Sequence, residues 1–329
     1  NAIELMPVNE FEGNESWGYN PSYHMAVDKY YGSKEDLKRF VETAHQMGFP
    51  VILDMVLNHA YGQNPMVKLY WDQGAGKPAT DNPWFNQEHV GPYSWGYDFN
   101  HESKYTKDYI DRVNTFWLEE YHFDGYRFDF TKGFTQNGPN IDNYDADRIE
   151  ILKRMADVIW DVDEKAYVIL EHWGPANEEN ELGAYGMKMW KNRSYDYVPS
   201  GVGGNGGSFS GMDNEYFVQY FNSHDERRLS EHMLAEGISN GIYNVKDELI
   251  MLERTKMSVA FMLLVPGPKM IWQFDELAYD IHIDYNGRTG NKPLPWGNEG
   301  LGYYEDENRQ YVYDVYAGLM KLRNTLGAE

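Results

Sequence analysis

The sequence predicts a parallel α/β barrel of the (β/α)8, or TIM, type, lacking its first strand in this chain. Short apolar strands alternate with longer amphipathic segments along all 329 residues, the pattern of a parallel sheet covered by helices. Four of these strands also end in polar or ionisable residues, and barrel strands carry function at their carboxyl ends. Seven strands can be read, at residues 2–6, 51–57, 123–128, 167–171, 195–197, 217–221 and 269–273. Seven would leave two open edges where eight would close a barrel, so the missing strand is expected ahead of Asn1.

The helices follow from spacing. Ser33 and Asp36 form a capping pair for a helix whose apolar face is Leu37, Phe40, Val41 and Ala44, and Gly48 stops it. Ile110, Val113 and Trp117 mark a second helix, and Ile149, Leu152, Ala156 and Ile159 a third. Val312, Val315, Leu319 and Leu322 mark the last. The stretch after the second visible strand is rich in Gly, Pro, Asn and Trp and too long for a simple connection, which predicts a protruding subdomain. The domain plan is therefore residues 1–57 as the first part of the barrel, 58–105 as the subdomain and 106–329 as the second part. The glycine-rich run "GVGGNGGSFSG" at 201–211 reads as a mobile surface loop.

Composition narrows the chemistry. A formal net charge of -23 argues against nucleic acid and anionic membranes as partners. No apolar run reaches membrane-spanning length. With no cysteine, disulfides, thiol catalysis and thiolate metal sites are excluded. Aromatics at 16%, with 27 Tyr and 10 Trp, suit flat ligands such as sugars. The chain opens on a strand without a signal peptide, so a leader can be missing from it; the compartment is undetermined, with a secreted or periplasmic setting favoured.

The polar strand ends are "VILDMVLNHA" with Asp54, Asn58 and His59, "DGYRFDFTKG" with Arg127, Asp129 and Lys132, "YVILEHW" with Glu171, and "YFNSHDER" with His224 and Asp225. Alternation puts Gly125, Arg127 and Asp129 on one face of their strand. Each feature also has a plain structural reading. Asp54 can be a satisfied interior carboxylate, and an Arg127–Asp129 pair can be purely structural, although buried pairs often fail to recover their desolvation cost. A single acid such as Glu171 at the end of an apolar run is rarely there for packing.

Three carboxylates without a thiol, a Ser–His pair or a phosphate loop point to glycoside hydrolysis, in which one carboxylate attacks and another protonates the leaving oxygen. Arg127 is expected to keep Asp129 ionised as the nucleophile. Glu171, flanked by Trp173, is expected to have the raised pKa of the acid.

The stretches "DMVLNH", "GYRFDFTK", the glutamate of "VILEHW" and "FNSHD" resemble, in order, four motifs of the α-amylase superfamily, glycoside hydrolase family 13. "AIELMPV" and "PGPKMIWQFDE" are similar to its second and eighth barrel strands. The resemblance implies Asp129 as nucleophile, Glu171 as acid/base and Asp225 as the third carboxylate. It implies sugar contacts from Arg127, Lys132, His59 and His224, and a stacking ring from Tyr19. It also implies a structural Ca2+ held by Asn58, Asp98 and the carbonyl of Gly133, which stands where the family often has histidine. The β-sandwich that commonly follows the barrel is not matched before Glu329, so a missing N-terminal segment and a C-terminal β-domain are expected as neighbours.

The expected partner is an α-glucan polysaccharide or oligosaccharide, cleaved at internal α-1,4 bonds with retention. Three alternatives stay open: a transglycosylase such as a branching enzyme, a non-catalytic sugar-binding barrel, and a metal-dependent hydrolase using His59, His224 and the acids.

Overall fold

A computed structural model of the chain describes residues 1–297 and 299–327. The strands are β1 (Ile3–Leu5), β2 (Asn9–Phe11), β3 (Pro21–Val27), β4 (Val51–Met55), β5 (His59–Ala60), β6 (Trp71–Asp72), β7 (Lys77–Pro78), β8 (Tyr97–Asp98), β9 (Gly125–Phe128), β10 (Tyr167–Leu170), β11 (Lys188–Asn192) and β12 (Phe217–Tyr220). The helices are α1 (Lys34–Gln46), α2 (Pro65–Leu69), α3 (Lys104–Tyr121), α4 (Ala146–Val162), α5 (Ala176–Tyr185), α6 (Ser194–Gly201), α7 (Leu229–Glu236), α8 (Glu248–Leu264) and α9 (Glu307–Leu326). The main sheet runs β1-β4-β9-β10-β11-β12, with neighbours in chain order as in a partial (β/α)8 barrel. No helix among the described residues is long and apolar enough to cross a membrane.

Two compact units divide the chain, Asn1–Trp190 and Lys191–Glu329. In the first, β1, β4, β9, β10 and the start of β11 pair in parallel. Every residue of β4 and β9 is buried, as expected of parallel strands covered on both faces. Gly125 has φ +142°, and a Cβ there would lie 2.3 Å from the Tyr167 backbone nitrogen, so only glycine permits this approach of β9 to β10. The capping pair of α1 forms as predicted: Asp36 N donates to Ser33 Oγ at 3.2 Å and Ser33 N to Asp36 Oδ2 at 3.0 Å. Ile110, Val113 and Trp117 of α3 and Ile149, Leu152, Ala156 and Ile159 of α4 are all buried. Between Asn58 and Tyr105, two short antiparallel ribbons, β5–β8 and β6–β7, accompany a small core of Ala60, Val67, Phe85 and Phe99.

In the second unit, α8 and α9 pack around a core that includes Tyr197, Phe221, Met251, Val259, Val312 and Tyr316. Two expected strands are corrected here. Residues 195–197 lie in α6, which begins after Asn192 turns its side chain to accept from Ser194 N at 2.7 Å. The strand at this point in the order is instead β11. Residues 269–273 make only an isolated parallel bridge, Gln219 to Lys269, after the Pro266–Gly267–Pro268 turn. The glycine-rich run is anchored by Phe209, whose ring packs edge-on to Tyr197 and Phe261 at 5.3 and 5.0 Å.

Candidate active site

The ends of β4, β9 and β10 assemble the site. Register places Asp54 opposite Arg127, and Arg127 opposite Ile169. The ladder continues past the strand ends, with Asp129 N donating to Met55 O at 3.0 Å and Glu171 N to Phe128 O at 2.9 Å. One further step of the β9–β10 register brings Asp129 and Glu171 side by side. Facing residues on neighbouring strands project to the same side of the sheet.

Arg127 is fully buried at the centre of this group. Its Nη1 donates to Asp54 Oδ1 and Oδ2 at 2.9 and 3.1 Å and to Asp129 Oδ1 at 3.3 Å, and its Nη2 lies 3.2 Å from Glu171 Oε2. Trp190 covers the guanidinium, 4.1 Å from ring centroid to Cζ. Burial works against the charge, but Asp54, Glu171, Tyr19 and Asp129 more than offset it and hold the Arg127 pKa well above its ordinary value. Asp54 takes the two shortest bonds and so is the main ionic partner. Arg127 therefore does not favour the charged form of Asp129 alone, as the sequence suggested: it stands equally close to Glu171.

Tyr19 donates its hydroxyl to Asp54 Oδ2 at 2.5 Å, and burial, then Asp54, raise its pKa well above the ordinary tyrosine value. Its carbonyl accepts from His59 Nε2 at 2.9 Å. Burial lowers the His59 pKa to about 4, so the ring is neutral near pH 7 and carries its proton on Nε2. Nδ1 then accepts from Asn58 Nδ2 at 3.2 Å. This fixes the Asn58 amide with Oδ1 turned away from His59, buried and with no hydrogen-bond partner. A Cβ at Gly133 would fall 1.9 Å from that oxygen, which explains glycine at this position.

The Asn58 oxygen is an unsatisfied hard donor of the kind calcium takes. Asp98, facing His59 across the β5–β8 pair, accepts from Asn86 Nδ2 at 2.8 Å and Val90 N at 3.3 Å, and burial raises its pKa to about 6. Gly133 O accepts from Thr135 N at 2.8 Å and keeps a second lone pair. Each of the three is an oxygen donor of the type a hard cation takes.

Lys132 pairs with Asp142 at 2.7 Å. In the second unit, buried His224 lies 3.2 Å from Asp225 Oδ2, and Arg288 Nη2 donates to Asp225 O and Oδ1 at 3.0 and 3.2 Å.

Three features escape a sequence reading. Trp190 is one, Asp54 as the main partner of Arg127 is another, and the third is an aromatic pair. Tyr93 and Trp95, both exposed, stack at 4.7 Å with a 12° interplanar angle. Each meets Phe130 edge-on, at 5.2 and 5.0 Å. Phe130 follows Asp129 and has φ +43°, a conformation that costs a non-glycine residue about 1–2 kcal/mol. That turn aims its N–H at Glu171 Oε2, 3.0 Å away.

A partial parallel barrel with acids at its strand ends is the arrangement with which the comparisons can be set. Residues 1–96 match the family model described as alpha amylase, catalytic domain. A malto-oligosyltrehalose trehalohydrolase of Saccharolobus solfataricus is 33% identical over 162 residues, 48% of this chain and 25% of that protein. A 1,4-alpha-glucan branching enzyme of Bacillus caldolyticus is 27% identical over 311 residues, 86% of this chain and 44% of that protein. The crystal structure of an Anoxybacillus alpha-amylase superposes with a TM-score of 0.71 at 19% identity, covering 98% of this chain and 68% of that one. Residues 1–96 are thus similar to the α-amylase catalytic domain, and the chain shares its fold with an α-amylase. The chain spans less than half the length of these two curated relatives.

Proposed function

We propose that the protein is a retaining enzyme that hydrolyses internal α-1,4 bonds of starch, glycogen or maltooligosaccharides. One observation carries this reading: Asp129 and Glu171 directly follow the last paired residues of adjacent parallel strands and share one guanidinium, at 3.3 and 3.2 Å. Adjacent strands lie about 4.8 Å apart, close to the roughly 5–5.5 Å between carboxyl groups that retention uses. In the reaction, Glu171 gives its proton to the glycosidic oxygen as Asp129 attacks the anomeric carbon. Glu171 then takes a proton from the water that opens the glycosyl ester, leaving an α-configured product. Arg127 orients both acids.

The test is to incubate the full chain with amylose, maltooligosaccharides and pullulan, following chain length and anomeric form. Shorter chains released first as α-anomers are expected. New branch points would replace hydrolysis by transfer, a reading favoured by the similarity to branching enzymes, and unchanged glucans would overturn the proposal.

The exposed Tyr93–Trp95 pair offers a stacking surface next to the catalytic turn. Replacing Trp95 by Ala should raise KM for a long maltooligosaccharide about tenfold with little change in kcat, and an unchanged KM would remove the pair from the glucan path. Calcium would be held by Asn58 Oδ1, Asp98 and the Gly133 carbonyl, and would stiffen the subdomain without entering the reaction. Dialysis against a calcium chelator should lower the thermal midpoint and added calcium restore it; an indifferent midpoint removes the ion.

A further inference from the structure

Behind the two acids lies a second group of charges that the reaction does not use. Arg148 of α4, Glu178 of α5, His172 and Thr131 are all fully buried. Arg148 donates from Nε to Glu178 Oε1 at 2.6 Å and from Nη2 to Glu178 Oε2 at 2.9 Å. Its Nη1 donates to the carbonyls of Lys132 and Ile141 at 2.9 and 3.1 Å, so it also grips the turn that carries Asp129. His172 follows Glu171 directly; its Nε2 lies 2.9 Å from Glu178 Oε1 and its Nδ1 2.9 Å from Thr131 Oγ1. Thr131 closes the circuit onto the acid: its N donates to Glu171 O at 2.9 Å, and its hydroxyl is 3.1 Å from the same carbonyl.

Proton counting orders this chain. The groups facing His172 are Glu178, Glu179, Arg148 and Thr131. Burial lowers the His172 pKa, whereas the bonds from His172 and Arg148, against the effect of burial, bring Glu178 down to about 2. The ring is therefore neutral and Glu178 charged. Nε2–H donates to Glu178, and Nδ1 accepts the Thr131 hydroxyl. Thr131 has a single hydroxyl hydrogen and two acceptors within reach, so the ring decides how the threonine is held.

A structural ion pair alone would need neither the link to Thr131 nor the grip on the Lys132 carbonyl. We propose that the Arg148–Glu178–His172–Thr131 chain is a positioning device. It sets the Glu171 backbone against the Asp129–Gly133 turn, so that acid and nucleophile meet one glycosidic bond. The inference rests on the acid and nucleophile roles proposed above. Misplacement of a reacting group by about 1 Å costs up to roughly a hundredfold in rate.

The test uses the full chain with Thr131→Val, Thr131→Ser and Glu178→Gln. Thr131→Val keeps the shape and the backbone bond but loses the hydroxyl. It should lower kcat about tenfold to a hundredfold with KM nearly unchanged, and displace the alkaline limb of the kcat/KM profile. Thr131→Ser should restore both, and Glu178→Gln should act in the same direction as Thr131→Val. Hydrogen exchange across residues 129–133 reads the tether without turnover: it should quicken in Thr131→Val and Glu178→Gln but not in Thr131→Ser. Unchanged exchange in all three variants, or parental kcat and limb in an active Thr131→Val, overturns the positioning role. A parent enzyme that cleaves no α-glucan sinks instead the assignment of Glu171 as acid.

Discussion

Asp129→Asn is expected to abolish turnover of maltooligosaccharides, by at least about a thousandfold or ~4 kcal/mol of barrier, while binding them nearly as the parent does. The amide keeps the shape of the carboxylate and its place opposite Glu171, but it cannot form the glycosyl ester. Arg127 keeps Asp54 at 2.9 Å and Glu171 at 3.2 Å, so the site should stay assembled. Binding can be followed calorimetrically with a slow substrate and turnover by reducing ends. Residual activity within tenfold of the parent would show that the nucleophile lies elsewhere.

Asp54→Ala is expected to be the most damaging change to stability that leaves both reacting acids in place. Asp54 is 2% exposed and receives two bonds from Arg127 and one from Tyr19. Removing one partner of such a buried pair typically costs about 3–5 kcal/mol, because the remaining charge stays buried. The loss here should fall toward the lower end, since Asp129 and Glu171 still face the guanidinium. Activity should fall as well, because Arg127 would be drawn onto the two reacting acids. Denaturant unfolding measures the first effect, and a loss below about 1 kcal/mol would mean that Asp54 is not the anchor of the cluster.

The placement of the acids proposed to react was legible. Arg127 and Asp129 stand two apart in a strand, and Glu171 ends an apolar run, so their faces and their location follow from local alternation. The partnership of Asp54 with Arg127 was not, because it depends on the register of β4 on β9, which no local pattern states. β11 was missed for a different reason: "KMWKN" is short and polar at both ends, whereas "YDY" next to it alternates aromatic and charged residues like a strand yet coils into α6. Arg148 and Glu178 each look like solvent-facing helix charges. Their burial arises only when α4 and α5 bring them together, 30 residues apart in the chain. The aromatic pair at Tyr93 and Trp95 sits in a loop whose path no periodicity describes.

Gly125 has a consequence that reaches beyond its own strand. Nearly a full strand's length away from the two acids, a hydrogen atom in place of a methyl lets two backbones touch, and the same two backbones lead into Asp129 and Glu171, the proposed nucleophile and acid. On the proposed mechanism, the gap between the attacking and protonating groups is thus gauged at the opposite rim of the sheet, by the smallest residue in it.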